Sequence, residues 1–229
     1  MVLRTWDCRL RVLTPLQERI AVLVAETLTG SAFALAGGAA LISQGLVDRR
    51  TGDLDFFGSS SHELVERFPS VVHVLRSEGY EVDIRRSNAE FARIVVRGLG
   101  SETEVDFGLD SRLFPLREGE FSPVLSSKEL AVDKVLAVFG RAEARDFVDL
   151  SALEQFFAME DLFVLAAEKD RRFDLKVFAE MTKRASSLDR IEFVLNDEQY
   201  ANLQGEVNRW RMLAVDLARD KGLDKGRGR

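Results

Sequence analysis

The sequence contains few of the residues that support thiol, histidine or zinc chemistry. Its 229 residues include one cysteine, Cys8, and two histidines, His62 and His73. A single cysteine excludes an internal disulfide framework, and so few cysteines and histidines disfavour a Cys/His zinc site or a Ser-His-Asp triad. Any catalytic chemistry is therefore expected to depend on carboxylates, lysine and arginine.

Long apolar runs are also missing. No stretch approaches the ~18 apolar residues that a membrane span needs, and residues 1–13 alternate arginine with apolar residues instead of forming a signal-peptide core. We therefore expect a cytoplasmic protein with no membrane partner. A content of 46% hydrophobic and 31% charged residues is ordinary for a soluble globular chain.

The formal net charge of −6 argues against a protein whose whole surface binds nucleic acid. Binding of RNA would have to be local. Basic residues cluster on or between the middle strands at Arg85, Arg86, Arg93 and Arg97, and in the tail at Lys221, Lys225, Arg227 and Arg229. For the tail, solubility is the simpler explanation, because charged, glycine-rich chain ends are usually disordered.

A glycine turn follows the first predicted strand. The apolar residues 33–36 precede Gly37 and Gly38, and an apolar helix is predicted after them. Glycines at this place allow a tight turn, and the free N–H groups of a helix start favour a phosphate. A turn without function is the alternative, since Gly-Gly pairs are common in turns.

Two carboxylates follow in the segment Asp53-Leu54-Asp55-Phe56-Phe57. In a strand, Asp53 and Asp55 share one face while Leu54 points to the other. Two such acids can hold magnesium for phosphoryl or nucleotidyl transfer, although paired aspartates also end strands or hold turns. Because the neighbouring residues are apolar, an unpaired carboxylate here would be costly, so these acids are expected to be either paired or bound to a metal.

The order of predicted elements indicates an α+β fold in two lobes. An N-terminal lobe, residues 1–125, combines a short mixed or antiparallel sheet with flanking helices, and Pro115, Gly119 and Pro123 mark a linker. A helical C-terminal lobe occupies residues 126–229, and the active site is expected in the cleft between the lobes. The predicted strands are 33–36, 54–57, 81–85, 92–97 and 104–108. The predicted helices are 15–28, 39–46, 62–78, 127–140, 145–158, 160–169, 174–187 and 197–220.

Lys134, Arg141, Arg145 and Asp149 are spaced by 7, 4 and 4 residues, which would place them on one face of a continuous helix. Gly140 offers a point at which the segment would instead break into two helices. A solvated stripe of ion pairs is the alternative to a functional site.

These blocks resemble the AbiEii/AbiGii-type nucleotidyltransferase toxins, including MenT-like enzymes, of the DNA polymerase β-like nucleotidyltransferase superfamily. The family pattern is Gly-Gly-Thr-Ala-Leu, then His-Arg-x-Ser/Thr-x-Asp-Leu-Asp-Phe, a later strand with an acid, a lysine, and Arg-Asp-x-x-Asp-Leu. The matching segments, over about residues 30–155, are 37–41, 49–56, 105–107, Lys134 and 145–150. Two departures are Ala39, where the family often has Thr or Ser, and Asp48, where it often has His.

The resemblance implies a nucleotidyltransferase that uses a nucleoside triphosphate and two Mg²⁺ ions held by Asp53 and Asp55. It implies that Lys134 binds phosphates and that Asp149 is required, as a metal ligand through water, a nucleotide contact or the base. Asp106 is the other candidate base. The resemblance further implies nucleotide binding by Gly37, Gly38, Arg49, Thr51 and Arg145. Asp146 is expected to pair with an arginine.

The resemblance also implies the toxin of a bacterial toxin–antitoxin pair, with the tRNA 3′ end as the acceptor and a cognate antitoxin as a partner. Two alternatives remain open. One is a small-molecule nucleotidyltransferase of the aminoglycoside type, and the other is a nucleotide-binding module that has lost catalysis.

Overall fold

The structure, a computed structural model, describes residues 13–227. Cys8 and the side chains of the tail from Lys221 onward lie outside the described part of the chain. The described residues divide into two compact units, of which the first ends at Leu130 and the second begins at Ala131. The assignment of residues 1–125 and 126–229 as domains stays a prediction.

The first unit is built around one mixed sheet. Its helices are α1 (Pro15–Thr27), α2 (Gly37–Ser43) and α3 (Ser61–Ser77). Its strands are β1 (Ala34–Ala36), β2 (Asp53–Gly58), β3 (Glu81–Ser87), β4 (Phe91–Gly98), β5 (Ser101–Leu109), β6 (Arg117–Glu118) and β7 (Pro123–Val124). The spatial order is β3-β4-β5-β2-β1-β7-β6. The β2–β5 and β1–β7 pairs are parallel and the other pairs are antiparallel.

One face of the sheet packs on helices. On β2 the buried side chains are Leu54 and Phe56, and the residues between them are only half-buried. Phe56 stacks on Phe107 of β5 with ring centroids 5.7 Å apart, and Phe68 of α3 meets Phe107 edge-on at 5.6 Å. The alternation of burial along β2 turns both of its aspartates toward the opposite face.

The start of α1 connects this core to the loop before β2. Thr14 and Gln17 form a capping box, in which the Gln17 amide oxygen accepts the Thr14 N–H at 2.9 Å. The buried Gln17 side chain then donates through Nε2 to the carbonyl of Thr51 at 3.0 Å. One side chain therefore caps the helix and holds the loop that leads into Asp53.

The regular elements of the second unit are all helical within its described residues. Its elements are the C-terminal part of α4 (Ser127–Gly140), α5 (Ala144–Glu154), α6 (Met159–Lys169), α7 (Leu175–Met181), α8 (Asp197–Arg227) and two 3₁₀ segments, Thr182–Ser186 and Arg190–Phe193. Between α4 and α5, Ala142 has a φ of 52°, the left-handed region, which ends the first helix. The break predicted at Gly140 is present, so the continuous-helix alternative is wrong.

The α+β class and the mixed sheet are confirmed, with corrections in detail. The segment around Gly119 is not only a linker, because Arg117–Glu118 and Pro123–Val124 are strands of the sheet. Two-residue strands are too short to show alternating hydrophobicity. The predicted helix 174–187 continues as a 3₁₀ segment after Met181, where Thr182 donates its hydroxyl to the carbonyl of Ala179. Among the described residues, we find no helix that is long and apolar enough to span a membrane.

Candidate active site

The glycine turn contacts the carboxylate pair directly. Gly37 begins α2 with a φ of 58°, and a Cβ built on it would lie 1.9 Å from Oδ2 of Asp55. Ala36 is the register partner of Asp55, so the chain turns away immediately after passing this carboxylate. Glycine is required here both by the backbone conformation and by the close approach.

Gly38 is equally close to the loop that precedes β2. A Cβ on Gly38 would lie 2.6 Å from Nη2 of Arg49 and 3.3 Å from Oγ1 of Thr51. Arg49 also donates to the carbonyl of Arg50 at 2.9 Å, and Thr51 donates its hydroxyl to the carboxylate of Asp53. Five of the predicted site residues therefore lie around one turn: Gly37, Gly38, Arg49, Thr51 and Asp55.

Asp53, Asp55, Glu104 and Asp106 define what we call the carboxylate face of the sheet. Asp53 is the register partner of Glu104, and Asp55 is the partner of Asp106, in the parallel β2–β5 pair. Neighbouring strands lie about 4.8 Å apart, so paired side chains on one face are close neighbours. The structure thus brings the predicted third acid, Asp106, to the side of Asp55.

A guanidinium binds two of these acids. Arg93 of β4 donates to Asp106 through Nε at 2.7 Å and Nη2 at 2.6 Å, and its Nη1 lies 3.1 Å from Oε1 of Glu104. The hydrogen bond to Asp106 raises the pKa of Arg93 above its ordinary value, although burial opposes this. Arg93 therefore stays charged and fixes the orientation of the Asp106 carboxylate.

The donor set fits a hard divalent cation. Asp53 and Asp55 are half-buried carboxylates on one face, and the Asp106 carboxylate lies beside them with 11% of its side chain exposed. Carboxylate oxygens are the ligands that Mg²⁺ takes in proteins. The absence of a Cβ at Gly37 lets the Asp55 carboxylate lie directly against the turn.

The second unit carries the other predicted residues in a buried ionic cluster. Nζ of Lys134 lies 2.8 Å from Oδ2 of Asp149 and 3.3 Å from Oδ1 of Asp146. The side chain of Lys134 is 7% exposed, and both carboxylates are fully buried. Lys134 and Asp149 are thus held against each other. Arg145 lies nearby in sequence on α5, and its Nε is 2.9 Å from Oε2 of Glu143.

Asp146 pairs with an arginine, as expected. Arg141 donates to both of its oxygens at 2.9 Å, and the carboxylate also accepts the N–H of Glu143 at 3.2 Å, which caps α5. Burial acts to raise the pKa of Asp146, but the Arg141 hydrogen bonds and the charge of Lys134 outweigh it, so the pKa lies below its ordinary value.

Sequence reasoning missed three contributors to the site. Gln17, which holds the Thr51 carbonyl, and Glu104 were not singled out as site residues. Thr103 donates to the carbonyl of Gly52 at 3.0 Å and so fixes the same loop. These contacts join residues that are far apart in sequence. Only the register of the strands could have indicated them.

The mixed sheet, with its glycine turn against a carboxylate pair, has a nucleotidyltransferase-like fold. The fold is shared with MenT4, a nucleotidyltransferase toxin from Mycobacterium tuberculosis H37Rv (TM-score 0.58, 17% identity, 89% of this chain and 91% of that one). It is shared with JHP933 from Helicobacter pylori (TM-score 0.53, 19% identity, 91% and 94%). It is also shared with the antibiotic-resistance factor ANT(2'')-Ia (TM-score 0.50, 13% identity, 77% and 100%).

The family is established by sequence. The model of the nucleotidyl transferase AbiEii toxin family, a type IV toxin–antitoxin system, matches residues 21–223. The chain belongs to this family, which confirms the resemblance noted from its motifs. A search among curated proteins finds no match. Membership implies a nucleotide substrate and an antitoxin partner.

Proposed function

We propose that this toxin transfers a nucleoside monophosphate from a nucleoside triphosphate to a hydroxyl group at the 3′ end of tRNA, and so blocks translation. The observation that carries the proposal is the juxtaposition of Gly37 with the carboxylate of Asp55, with Asp106 on the adjacent strand. Family membership supports the reaction class. The choice of tRNA rests on the resemblance to MenT-like enzymes.

Each residue near the turn has a distinct task in this reaction. Asp53 and Asp55 would hold Mg²⁺, which neutralises charge on the triphosphate and on the oxygens that attack and leave. We assign the Gly37–Gly38 turn to the phosphates, with Arg49 against Gly38 as a hydrogen-bond donor for them and Thr51 next to it. Thr51 also orients the Asp53 carboxylate through its hydroxyl.

Asp106 is the proposed general base. A carboxylate has about four lone-pair positions, so the two hydrogen bonds from Arg93 leave others for a substrate hydroxyl. The acceptor oxygen bonds to the α-phosphorus as its proton passes to Asp106. The bond from that phosphorus to the bridging oxygen breaks, and pyrophosphate leaves with the electron pair.

Lys134, Asp149 and Arg145 of the second unit complete the proposed set. We assign Lys134 and Arg145 to the triphosphate, where a cation balances developing negative charge. Asp149 holds the Lys134 ammonium at 2.8 Å and so restricts its position. The arrangement in which these residues face the carboxylate face across a cleft stays a prediction.

A small-molecule acceptor is the second candidate. Four carboxylates on one face of the sheet would attract a cationic substrate such as an aminoglycoside, and the fold is shared with ANT(2'')-Ia. Arg86, which lies on the same face and which no carboxylate of the described residues neutralises, favours a polyanion instead. Both acceptors can be offered in one experiment.

The test is to incubate the protein with magnesium, each α-labelled nucleoside triphosphate in turn, and either total bacterial tRNA or an aminoglycoside mixture. Asp53→Asn should abolish transfer, whereas Asp161→Asn, an isosteric change at an exposed position of α6, should not. Label on tRNA supports the proposal and names the nucleotide. Label on the aminoglycoside alone, or on neither acceptor, overturns it.

If the wild type binds a magnesium nucleotide but transfers nothing, the chain is a nucleotide-binding module without catalysis. Binding is measured by calorimetry with the same Asp53→Asn and Asp161→Asn variants. Loss of affinity in the first variant alone would place the nucleotide at the carboxylate face.

A further inference from the structure

A single row of charged side chains crosses the sheet, with acidic residues at one end and basic residues at the other. Asp55 pairs in register with Asp106, Asp106 with Arg93, and Arg93 with Arg86. Residues paired in register project to the same face of a sheet. At about 4.8 Å per strand, Arg86 on the edge strand β3 lies roughly 14 Å from Asp55 along this row.

The arginines of this region differ in how they are neutralised. Arg93 is bound by Asp106 and Glu104, and Arg97 lies 2.9 Å from Glu102. Arg85 pairs with Asp83 at 3.0 Å. Within residues 13–220, where side chains are described, no carboxylate pairs with Arg86, which is exposed and contacts the ring of Phe91. Among the described residues, Arg86 therefore offers a positive charge at the end of the row that no carboxylate compensates.

Phe91 adds an aromatic surface next to that charge. The guanidinium carbons of Arg86 and Arg93 lie 5.3 Å and 5.6 Å from the centroid of its half-buried ring. Its register partner on β5 is Gly108, which has no side chain, and the partner of Gly108 on β2 is Phe57. An aromatic row, Phe57–Gly108–Phe91, thus runs beside the charged row on the same face.

Cationic and aromatic groups in this arrangement suit one class of ligand. Arginine binds phosphodiester oxygens, and an aromatic ring stacks on a base without reading its identity. A cationic aminoglycoside would be repelled by Arg86. The end of the row that carries Asp55 and Asp106 is where the proposed chemistry occurs, so a strand laid along the row would present its terminal hydroxyl there.

We infer that Arg86 and Phe91 form an acceptor subsite, which binds the phosphodiester and a base of a single-stranded polynucleotide upstream of its reacting 3′ end. The inference rests on the proposed function for the direction of the strand. The binding itself depends only on the two side chains and is measurable without catalysis.

The test is the equilibrium binding of a 5′-labelled single-stranded oligoribonucleotide to the full chain, without nucleoside triphosphate, at several salt concentrations. Arg86→Gln should weaken binding and reduce the slope of log K against log salt by about 0.7. Phe91→Leu should weaken binding by about fivefold or more, the lower end of the stacking range. The matched controls, Arg85→Gln on the same strand and Phe156→Leu at an exposed position of the second unit, should behave as wild type.

Equal binding by wild type, Arg86→Gln and Phe91→Leu overturns the subsite, whatever the transferase activity. The same holds if the wild type does not bind the oligonucleotide. In transfer assays the two variants should raise KM for the acceptor and leave KM for the triphosphate unchanged. If binding depends on Arg86 but the wild type transfers nothing, the subsite stands and the proposed reaction fails.

Discussion

Gly37 lies so close to Asp55 that a Cβ on the glycine would be 1.9 Å from the Oδ2 atom of the aspartate. This approach couples the glycine turn to the carboxylate pair. Glycine is required here for two reasons. One is the close approach, and the other is the φ of 58°, which would strain any side chain even where space allowed it.

Substitution of Gly37 tests this coupling. Gly37→Ala should cost about 1–2 kcal/mol of unfolding free energy from the left-handed backbone, and should slow transfer by roughly 100-fold because it displaces Asp55. Gly45→Ala is the matched control, because Gly45 has a φ of 66° and nothing within 4 Å of its Cβ position. We expect both variants to lose a comparable amount of unfolding free energy and only Gly37→Ala to lose transfer activity. Equal activity in both variants would contradict the coupling.

Gln17 should matter to the site as well as to α1. Gln17→Glu keeps the acceptor that caps the helix but removes the N–H donors that bind the Thr51 carbonyl. We expect the free energy of unfolding, measured by chemical denaturation, to fall by about 1–3 kcal/mol and the KM for the triphosphate to rise.

The control for this change is Gln199→Glu. Gln199 accepts the N–H of Asn196 at 3.0 Å in a similar cap and is exposed, so glutamate should replace it without loss. If the two variants lose equal stability and equal substrate affinity, the contact to Thr51 has no role in the site.

Removal of the Lys134 ammonium should destabilise the second unit. Lys134→Met leaves Asp149 and Asp146 without their shared cation in a fully buried setting, at a cost of about 3–5 kcal/mol in unfolding free energy. The Lys134→Met/Asp149→Asn double variant should recover part of this stability because one buried charge is gone. Exposed Lys176→Met should be neutral. A folded, fully stable Lys134→Met protein would contradict the structural role of the cluster.

The lowered pKa of Asp146 leads us to expect that the stability of the protein depends on pH. The Asp146 pKa is lowered in the folded state, so its contribution is complete above the unfolded pKa of about 3.9 and is lost as pH falls through the lower folded value. The stability advantage of wild type over Asp146→Asn should therefore be constant near pH 7 and shrink below about pH 4. Urea titrations at several pH values measure it. An advantage that persists undiminished to pH 2 would be inconsistent with this assignment.

The sequence revealed the local parts of the site and not the distant ones. The two-residue period of a strand placed Asp53 and Asp55 on one face, and the glycine turn was evident from Gly37 and Gly38. The contact of Gln17 with Thr51 joins residues 34 positions apart, and no periodicity encodes it. The row that ends at Arg86 depends on three strand registers and on an irregularity in β3 between Ile84 and Arg86.

The most direct test of the central claim compares transfer from α-labelled and γ-labelled nucleoside triphosphate to tRNA by the wild type and by Asp55→Asn. We expect label on tRNA from the α position only, release of the γ label in pyrophosphate, and no transfer by Asp55→Asn. Label on tRNA from the γ position, or transfer that survives Asp55→Asn, would contradict a nucleotidyltransferase centred on the carboxylate face.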